Sequence, residues 1–142
     1  MIGYRTGGWF GMVLAGTAND EIACKLKKIY ERIVVGDHEA TSSVSVCFIH
    51  RAEICKLASN CFHTTKIFFA NMIGDIADRT EGAEKKEICN TLKLDRSIGP
   101  ISMTPGYGFG GPSYPRDNKA MYARQLGIQP LIPIATDECD QR

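Results

Sequence analysis

The chain has 142 residues, of which 44% are hydrophobic and 23% are charged, and its formal net charge is +1. This length suits one domain with its own core, and the mixed charges lack the basic excess of a nucleic-acid-binding protein. No run approaches the roughly 20 apolar residues of a membrane span, and the N-terminus lacks the features of a secretory signal, so we expect a cytoplasmic protein without nucleic-acid or membrane partners.

The six cysteines do not indicate a metal site. They stand at positions 24, 47, 55, 61, 89 and 139, without a CxxC pair and without the histidine spacing of a zinc site. Cys24, Cys55 and Cys61 fall within helical patterns, where a free cysteine packs as a small apolar residue. The sequence therefore favours reduced, structural cysteines over disulfides and predicts no bound metal.

The first part of the chain predicts a short strand, a helix and a second extended segment. Residues 12–15 are an apolar run that fits a strand. Thr17, followed three residues later by Asp20, resembles a capping box, and the apolar residues that follow recur at helical spacing, which predicts a helix over 18–33. The segment 44–49 is β-branched and apolar, so it predicts a short strand or an extended linker.

A long helix is predicted over 51–79, because no proline or glycine interrupts this segment before Gly74 and its apolar residues form a broad face. The predicted helix is over twice the average helix length of about 11–12 residues in globular proteins. A single small domain would leave part of its apolar face exposed, so we expect a partner chain to pack against it. The sequence then predicts a short helix over 84–93, a loop over 99–115, a helix from Pro115 to near Gly127, and an extended segment over 128–134.

Two segments resemble a known family. AEICKLASNCFHTTKIFFAN, residues 52–71, resembles the central helix of UDP-glucose and GDP-mannose 6-dehydrogenases, AELxKxxxNxFxxxKIxFxN. IGPISMTPGYGFGGPSYPRDNKAM, residues 98–121, resembles their catalytic loop, GxGFGGxCxPKDxxAL. The region that the two matches span, from Ala52 to Met121, is about half of the chain, and VLAGTANDEIACKLKKIYERI, residues 13–33, more weakly resembles the segment that leaves the family's first Rossmann domain.

The resemblance implies a mainly α fold, the helical central dimerisation domain of the nucleotide-sugar dehydrogenase type, with a long core helix and short flanking extended segments. Residues 1–16 would be a remnant of the end of an N-terminal Rossmann domain. Residues 17–126 would form the central dimerisation and substrate domain, and residues 127–142 would begin a linker to a C-terminal domain. The implied assembly is a homodimer through the long helix.

The resemblance also implies a reaction in which NAD takes hydride twice. The family oxidises the primary alcohol of a nucleotide sugar to an aldehyde and then, through a cysteine thiohemiacetal and thioester, to a uronic acid. Lys56 and Asn60 match the family's pair that holds the oxygen at the reacting carbon, and a separation of four residues puts them on one helix face. An ammonium and a carboxamide can stabilise a developing oxyanion, whereas the spacing alone would favour a solvated lysine and a surface asparagine.

The glycine-rich loop matches the family's sugar-binding segment. Its glycines let the backbone turn and approach a sugar closely. Pro105 and Pro112 mark it as a loop, because a dinucleotide fingerprint would follow a strand and open a helix. The resemblance assigns substrate binding to Tyr107, Phe109, Gly110 and Gly111, and also to Arg96, which stands one position away from the family's arginine that reaches the substrate of a neighbouring subunit.

Two further positions match catalytic residues of the family. Asp117 matches the aspartate that orients a water or assists proton transfer, although the helix dipole also favours an acid in a first helical turn. Ser113 occupies the position of the catalytic cysteine. A thiol with a pKa of about 8.5 supplies some thiolate at neutral pH, whereas a serine hydroxyl needs a strong neighbouring base. His63, one turn beyond Asn60, is the residue that could face the loop as that base.

These observations leave three hypotheses about function. The first is a truncated or degraded dehydrogenase that folds as the dimerisation domain and binds no NAD alone, because neither the family's dinucleotide-binding domain nor its UDP-binding domain is evident in the sequence. The second is a non-catalytic partner or regulator of an intact nucleotide-sugar dehydrogenase. The third is a piece of a split enzyme whose companion supplies NAD binding and a nucleophile, and Ser113 counts against it. UDP-glucose, an N-acetylhexosamine derivative and GDP-mannose all remain open as the nucleotide sugar.

Overall fold

The computed structural model describes residues 3–5, 12–35, 43–109 and 112–124. Its elements are strand β1 (Gly3–Arg5), strand β2 (Met12–Gly16), helix α1 (Asp20–Val35), strand β3 (Ser43–Cys47) and helices α2 (Ile49–Asp78), α3 (Lys85–Leu94) and α4 (Tyr114–Arg124). The described part is mainly helical, as predicted. The chain divides into two compact units, Met1–Lys56 and Leu57–Arg142, and the boundary falls inside α2.

The first unit is a three-stranded sheet with one helix. β1 pairs with β2 in antiparallel orientation, and β2 pairs with β3 in parallel, with Leu14 opposite Ser45. Parallel strands need a crossover, which α1 provides while packing against both of them. Val13, Leu14 and Ala15 are buried. Both predicted extended segments are therefore strands, with boundaries that differ by one or two residues, whereas their pairing in one sheet was not predicted.

Helix α1 begins two residues later than predicted because its cap is Asn19. The Asn19 Oδ1 atom accepts a hydrogen bond from the Ile22 N–H at 3.1 Å, and the Thr17 Oγ1 atom accepts one from the Asn19 N–H at 3.1 Å. The capping box predicted from Thr17 and Asp20 is therefore wrong. An asparagine cap satisfies one of the free N–H groups of the first turn, and Thr17 shapes the turn that precedes it.

The second unit has a small buried core. Ala70 of α2, Cys89 of α3 and Met103 of the segment between α3 and α4 form it, and Ile73, Leu92 and Ile98 pack against it. Contact among these side chains fixes where the segment after α3 runs over α2. The predicted short helix over 84–93 is observed as α3, and Glu84, whose side chain accepts a hydrogen bond from the Lys86 N–H, is its cap.

The cysteines differ in part from the prediction. Five described cysteines are free, and Cys139 lies outside the described residues. Cys89 is fully buried and packs as a small apolar residue, but Cys24 and Cys55 are exposed on their helices. The expectation of apolar packing is therefore wrong for these two.

Helix α2 has 30 residues and lies within two residues of its predicted bounds. Within the second unit it exposes Phe62, Phe69, Met72 and Ile76, and three of these are seven residues apart. No helix in the described part of the chain is long and apolar enough to cross a membrane. Helix α4 begins at Tyr114, so Pro115 is its second residue rather than its first. The predicted helix end near Gly127, the extended segment over 128–134 and the linker over 127–142 lie outside the described residues.

Candidate functional site

A buried hydrogen bond joins α2 to α4. The Asn60 Nδ2 atom donates to the Asp117 Oδ2 atom at 2.6 Å, and each of these residues is 2% exposed. Arg116 Nε and Nη2 each lie 2.9 Å from the Asp117 Oδ1 atom. The two oxygens of one buried carboxylate are thus shared between a carboxamide and a guanidinium. A buried charge is costly unless it is paired in this way, so both partners help to hold Asp117 in place.

A second buried contact between the same helices involves Thr64. Its hydroxyl donates to the Cys61 carbonyl oxygen at 2.8 Å and lies 3.2 Å from the Asn118 Oδ1 atom. Among the described residues, the Asn118 Nδ2 atom has no hydrogen-bonding partner. Rotation of this amide by half a turn would let Nδ2 donate to the Thr64 oxygen, since the single hydroxyl proton already goes to Cys61. Asn60, Thr64, Asp117 and Asn118 therefore form one buried polar patch.

Ser113 lies exposed in the turn that precedes α4. Its carbonyl oxygen accepts a hydrogen bond from the Asp117 N–H at 2.9 Å, and no described side chain forms a hydrogen bond with its hydroxyl. His63 does face the loop, but its Nδ1 atom lies 3.1 Å from the Ser102 Oγ atom. Burial, and secondly the charge of Lys66, lower the pKa of His63 below its ordinary value. The pairing of His63 with Ser113 that the sequence raised is not formed.

Side chains of α2 hold the glycine loop, defined as residues 98–113, at two places. The Lys66 ammonium donates to the carbonyl oxygens of Ile98 at 2.7 Å and Gly99 at 3.4 Å. Five residues farther along α2, the Asn71 Nδ2 atom donates to the Tyr107 carbonyl oxygen at 2.9 Å, and the Asn71 Oδ1 atom accepts from the Gly106 N–H at 2.8 Å. Burial lowers the pKa of Lys66 below its ordinary value.

A cavity of about 550 Å³ lies within the second unit, between α2, the start of α3 and the glycine loop. Tyr107 and Phe109 both line it. Phe109 is buried and packs edge to face against Tyr114, with the ring centroids 6.5 Å apart, whereas Tyr107 is 70% exposed. The polar part of the wall consists of Asn71, Asp75, Asp78 and Lys85. The volume is within the range of small-molecule sites.

The structure brings some of the predicted site residues together. Asn60 and Asp117 are in direct contact, and Tyr107 and Phe109 share a cavity wall. Arg96 is exposed, and Lys56 is half-buried in the part of α2 that belongs to the first unit. Gly110 and Gly111 lie outside the described residues.

Sequence reasoning missed four residues that shape this region. The signal that could have found Arg116 is the PRD triplet, since the family pattern has a basic residue at the same position, in PKD. Asn71 is the last residue of the segment that resembles the family's central helix, so the motif contained it without indicating a role. Thr64 and Asn118 carry no signal beyond being polar residues at positions that the structure buries.

The turn between β2 and α1 does not fit a dinucleotide cofactor such as NAD. A pyrophosphate site needs several glycines between strand and helix and free N–H groups at the helix start. This turn contains a single glycine, Gly16, and Asn19 already caps the helix. Asp20 and Glu21 add negative charge to the first turn, which would repel phosphate.

Known proteins match both the sequence and the fold. Residues 50–141 match the UDP-glucose/GDP-mannose dehydrogenase family, central domain. The chain is 32% identical over 109 residues to the UDP-glucose 6-dehydrogenase of Rickettsia prowazekii, a match that covers 77% of this chain and 24% of that protein. It is 33% identical over 88 residues to the GDP-mannose 6-dehydrogenase of Pseudomonas putida, covering 61% of this chain and 20% of that protein.

A solved UDP-glucose dehydrogenase from the hyperthermophilic archaeon Pyrobaculum islandicum has a similar fold, with a TM-score of 0.75 and 28% identity. That match covers 92% of this chain and 29% of the archaeal chain, so the present chain spans less than a third of each of these relatives. Because the family match extends over residues 50–141, the chain belongs to the UDP-glucose/GDP-mannose dehydrogenase family, in the region of the central domain.

Proposed function

We propose that the chain is the central part of an NAD-dependent nucleotide-sugar 6-dehydrogenase, which oxidises a UDP- or GDP-hexose to the uronic acid. The observation that carries this proposal is the buried contact at 2.6 Å between Asn60 and Asp117. These residues occupy two motif positions that are far apart in the sequence and have complementary roles in the family's reaction. One of the two sequence relatives is named a UDP-glucose 6-dehydrogenase and the other a GDP-mannose 6-dehydrogenase, so the proposal leaves the nucleotide open.

In this proposal, each residue has a separate task. The Asn60 carboxamide donates to the oxygen at the reacting carbon, and Lys56 has the same task by its motif position alone. Asp117 orients a water for the hydrolytic step. By their motif positions, Tyr107 and Phe109 provide the wall against which the sugar packs; the cavity that both line does not include Asn60 or Asp117. Gly110, Gly111 and Arg96 complete the substrate contacts by resemblance.

Ser113 is the basis for proposing that the chain does not form the covalent intermediate of the second oxidation. A serine hydroxyl becomes a nucleophile when a base removes its proton. His63, the base considered from the sequence, is hydrogen-bonded to Ser102 instead. The chain would therefore contribute the fold and the substrate-side contacts, and it would not convert an aldehyde to an acid by itself.

A homodimer through α2 is the proposed assembly. Phe62, Phe69 and Ile76 are 62%, 39% and 54% exposed, and Met72 lies between them on the same helix. Their spacing of seven residues places them along one side of the helix, as in helices that pack side by side. Large apolar residues aligned in this way favour association with a second copy.

The test is to mix the purified chain with NAD and either UDP-glucose or GDP-mannose, to follow NADH absorbance, and to measure the mass by light scattering. Equilibrium dialysis of each nucleotide sugar, with UDP and GDP alone as controls, tests substrate binding separately. We expect a dimer that produces no NADH and retains a nucleotide sugar more strongly than the free nucleotide. Substrate-dependent NADH formation would overturn the proposed inactivity, and equal retention of sugar and free nucleotide would contradict the sugar site.

A further inference from the structure

We propose that Asn71 is the positioning residue of the glycine loop, and that its carboxamide selects the backbone conformation that places Tyr107 and Phe109 on the cavity wall. This inference deepens the proposed function and rests on it for its catalytic meaning. Asn71 would not touch the reacting atoms. Its role is to fix the geometry of residues that meet the sugar.

The hydrogen bonds of Asn71 use both ends of its carboxamide. The Oδ1 atom accepts from the Gly106 N–H at 2.8 Å, and the Nδ2 atom donates to the Tyr107 carbonyl oxygen at 2.9 Å. The planar side chain therefore binds the backbone of two successive residues. Such a contact requires the N–H of one residue and the carbonyl of the next to face α2 together.

Gly106 permits this backbone arrangement. Its φ of +90° lies in the left-handed region, where a residue with a side chain would be strained. A glycine is also free to leave that conformation, because it has access to many others. Something outside the loop must therefore hold it, and among the described residues only the side chain of Asn71 forms hydrogen bonds with the backbone of Gly106 and Tyr107.

The cavity connects this contact to ligand binding. Asn71, Gly106, Tyr107 and Phe109 all line the cavity of about 550 Å³. Phe109 is anchored by burial, whereas Gly106, Tyr107 and Gly108 are exposed. Loss of the carboxamide contact would release one side of the cavity while leaving the core around Met103 intact.

The variant Asn71→Asp separates positioning from simple space filling. A protonated aspartate has nearly the shape of asparagine, and it can accept from the Gly106 N–H while its hydroxyl donates to the Tyr107 oxygen. An ionised aspartate has no donor and turns an oxygen toward that carbonyl. The carboxylate can still accept from the Gly106 N–H, but repulsion between its second oxygen and the Tyr107 carbonyl oxygen opposes the backbone arrangement that turns both groups toward α2. The full contact should therefore form when the carboxyl group is protonated and be lost when it is ionised. The variant Asn71→Ala loses both hydrogen bonds at every pH.

The measurement is the protection factor of the Gly106 amide in hydrogen exchange, followed by NMR near pH 4, close to the ordinary aspartate pKa, and at neutral pH. We expect the protection in Asn71→Asp to approach that of the unmodified chain at acid pH and to fall by about tenfold at neutral pH, which is the effect of roughly one hydrogen bond. The Gly106 protection factor in Asn71→Ala should be low at both pH values. Asn90→Asp, on the exposed side of α3, is the matched control and should match the unmodified chain at each pH.

Three results would overturn the proposal. The first is a Gly106 protection factor in Asn71→Ala that equals that of the unmodified chain at neutral pH. The second is a Gly106 protection factor in Asn71→Asp that does not respond to pH, and the third comes from the unmodified chain alone. In the unmodified chain, the Nδ2 protons of Asn71 should exchange more slowly than those of Asn90, and equal rates would also overturn it even if a variant fails to fold. No nucleotide sugar or NAD is used, so failure of the proposed dehydrogenase function would leave these measurements unaffected.

Discussion

Gly74 of α2 lies directly against Pro105 of the glycine loop, so that a methyl group added to Gly74 would come within 3.1 Å of the Pro105 Cβ atom. This close approach predicts that Gly74→Ala moves the loop with little effect on overall stability. Alanine favours a helix over glycine by about 1 kcal/mol, which offsets the cost of the contact. Urea denaturation should show a change within about 1 kcal/mol, while the amides of residues 106–109 exchange faster.

Gly82→Ala is the contrasting variant. A side chain there meets no atom within 4 Å, but the φ of +75° is unfavourable for alanine. It should destabilise the chain by about 1 kcal/mol without altering exchange in the loop. Unchanged loop exchange in Gly74→Ala would contradict the importance of the close approach.

The contact between Asn60 and Asp117 predicts a pH-dependent defect in Asn60→Asp. Two carboxylates would then meet where a donor and an acceptor are now 2.6 Å apart. Like charges at this distance cannot both remain ionised without a large cost, so the variant should be unstable at neutral pH and recover as the pH falls and one group takes a proton. Urea denaturation across this pH range measures the recovery. Asn60→Ala, which only removes the donor, should lose about 1–3 kcal/mol at neutral pH.

The environment of His63 predicts a loss of stability on acidification. Burial first, and the charge of Lys66 second, hold the folded-state pKa of His63 below 6.5, its ordinary value. The folded state therefore resists protonation that the unfolded state accepts. The stabilisation is complete above about pH 6.5 and is lost as the pH falls from there through the folded-state pKa.

His63→Gln should reduce this pH dependence because glutamine has no proton to gain in that range. The free energy of unfolding, measured from neutral to mildly acid pH, checks the prediction. An unchanged slope in His63→Gln would show that another group is responsible.

The cysteines of the described residues should differ in reactivity. Cys24 and Cys55 are exposed, whereas Cys89 is fully buried. Burial, and secondly the charge of Asp117, raise the pKa of Cys61 above its ordinary value, so less of it is thiolate. Limited alkylation followed by peptide mapping should label Cys24 and Cys55 first, then Cys61, and Cys89 last. Labelling in urea is the control, because unfolding should remove the order.

The proposed dimer predicts that a charge on the exposed side of α2 produces monomers. Phe69→Asp should halve the mass measured by light scattering, since burying an unpaired carboxylate in an apolar interface is costly. Leu94 of α3 is 82% exposed and provides a matched control. Leu94→Asp should leave the mass unchanged. A dimer that survives Phe69→Asp would place the interface elsewhere.

The limits of sequence-based prediction are clear in individual elements. Helix α2 was predicted closely because its apolar spacing is regular and few residues interrupt it. The cap of α1 was assigned to Thr17 rather than Asn19 because several polar residues in one turn can serve as a cap. Pairing between β2 and β3 was missed because α1 separates the two strands in the sequence, and the residues of one strand do not indicate which strand pairs with it.

The same contrast holds for the candidate site. Asn60 and Asp117 were found through motif positions, and their contact then appeared in the structure. Asn71 received no role because its partners are the backbone groups of Gly106 and Tyr107, which every residue possesses. Contacts from a side chain to the backbone leave no complementary residue type to search for in the sequence.

Because Asn71 binds only main-chain atoms at these two positions, it recognises the path of the loop and is indifferent to the side chain at position 107. Position 106 must remain glycine to keep its φ of +90°. The side chain at position 107 can change without disturbing the hydrogen bonds that Asn71 forms with the loop. The course of the loop is thus set separately from the side chain at position 107. Under the proposed function, substitutions at position 107 would change the contact with the sugar while the loop keeps its course.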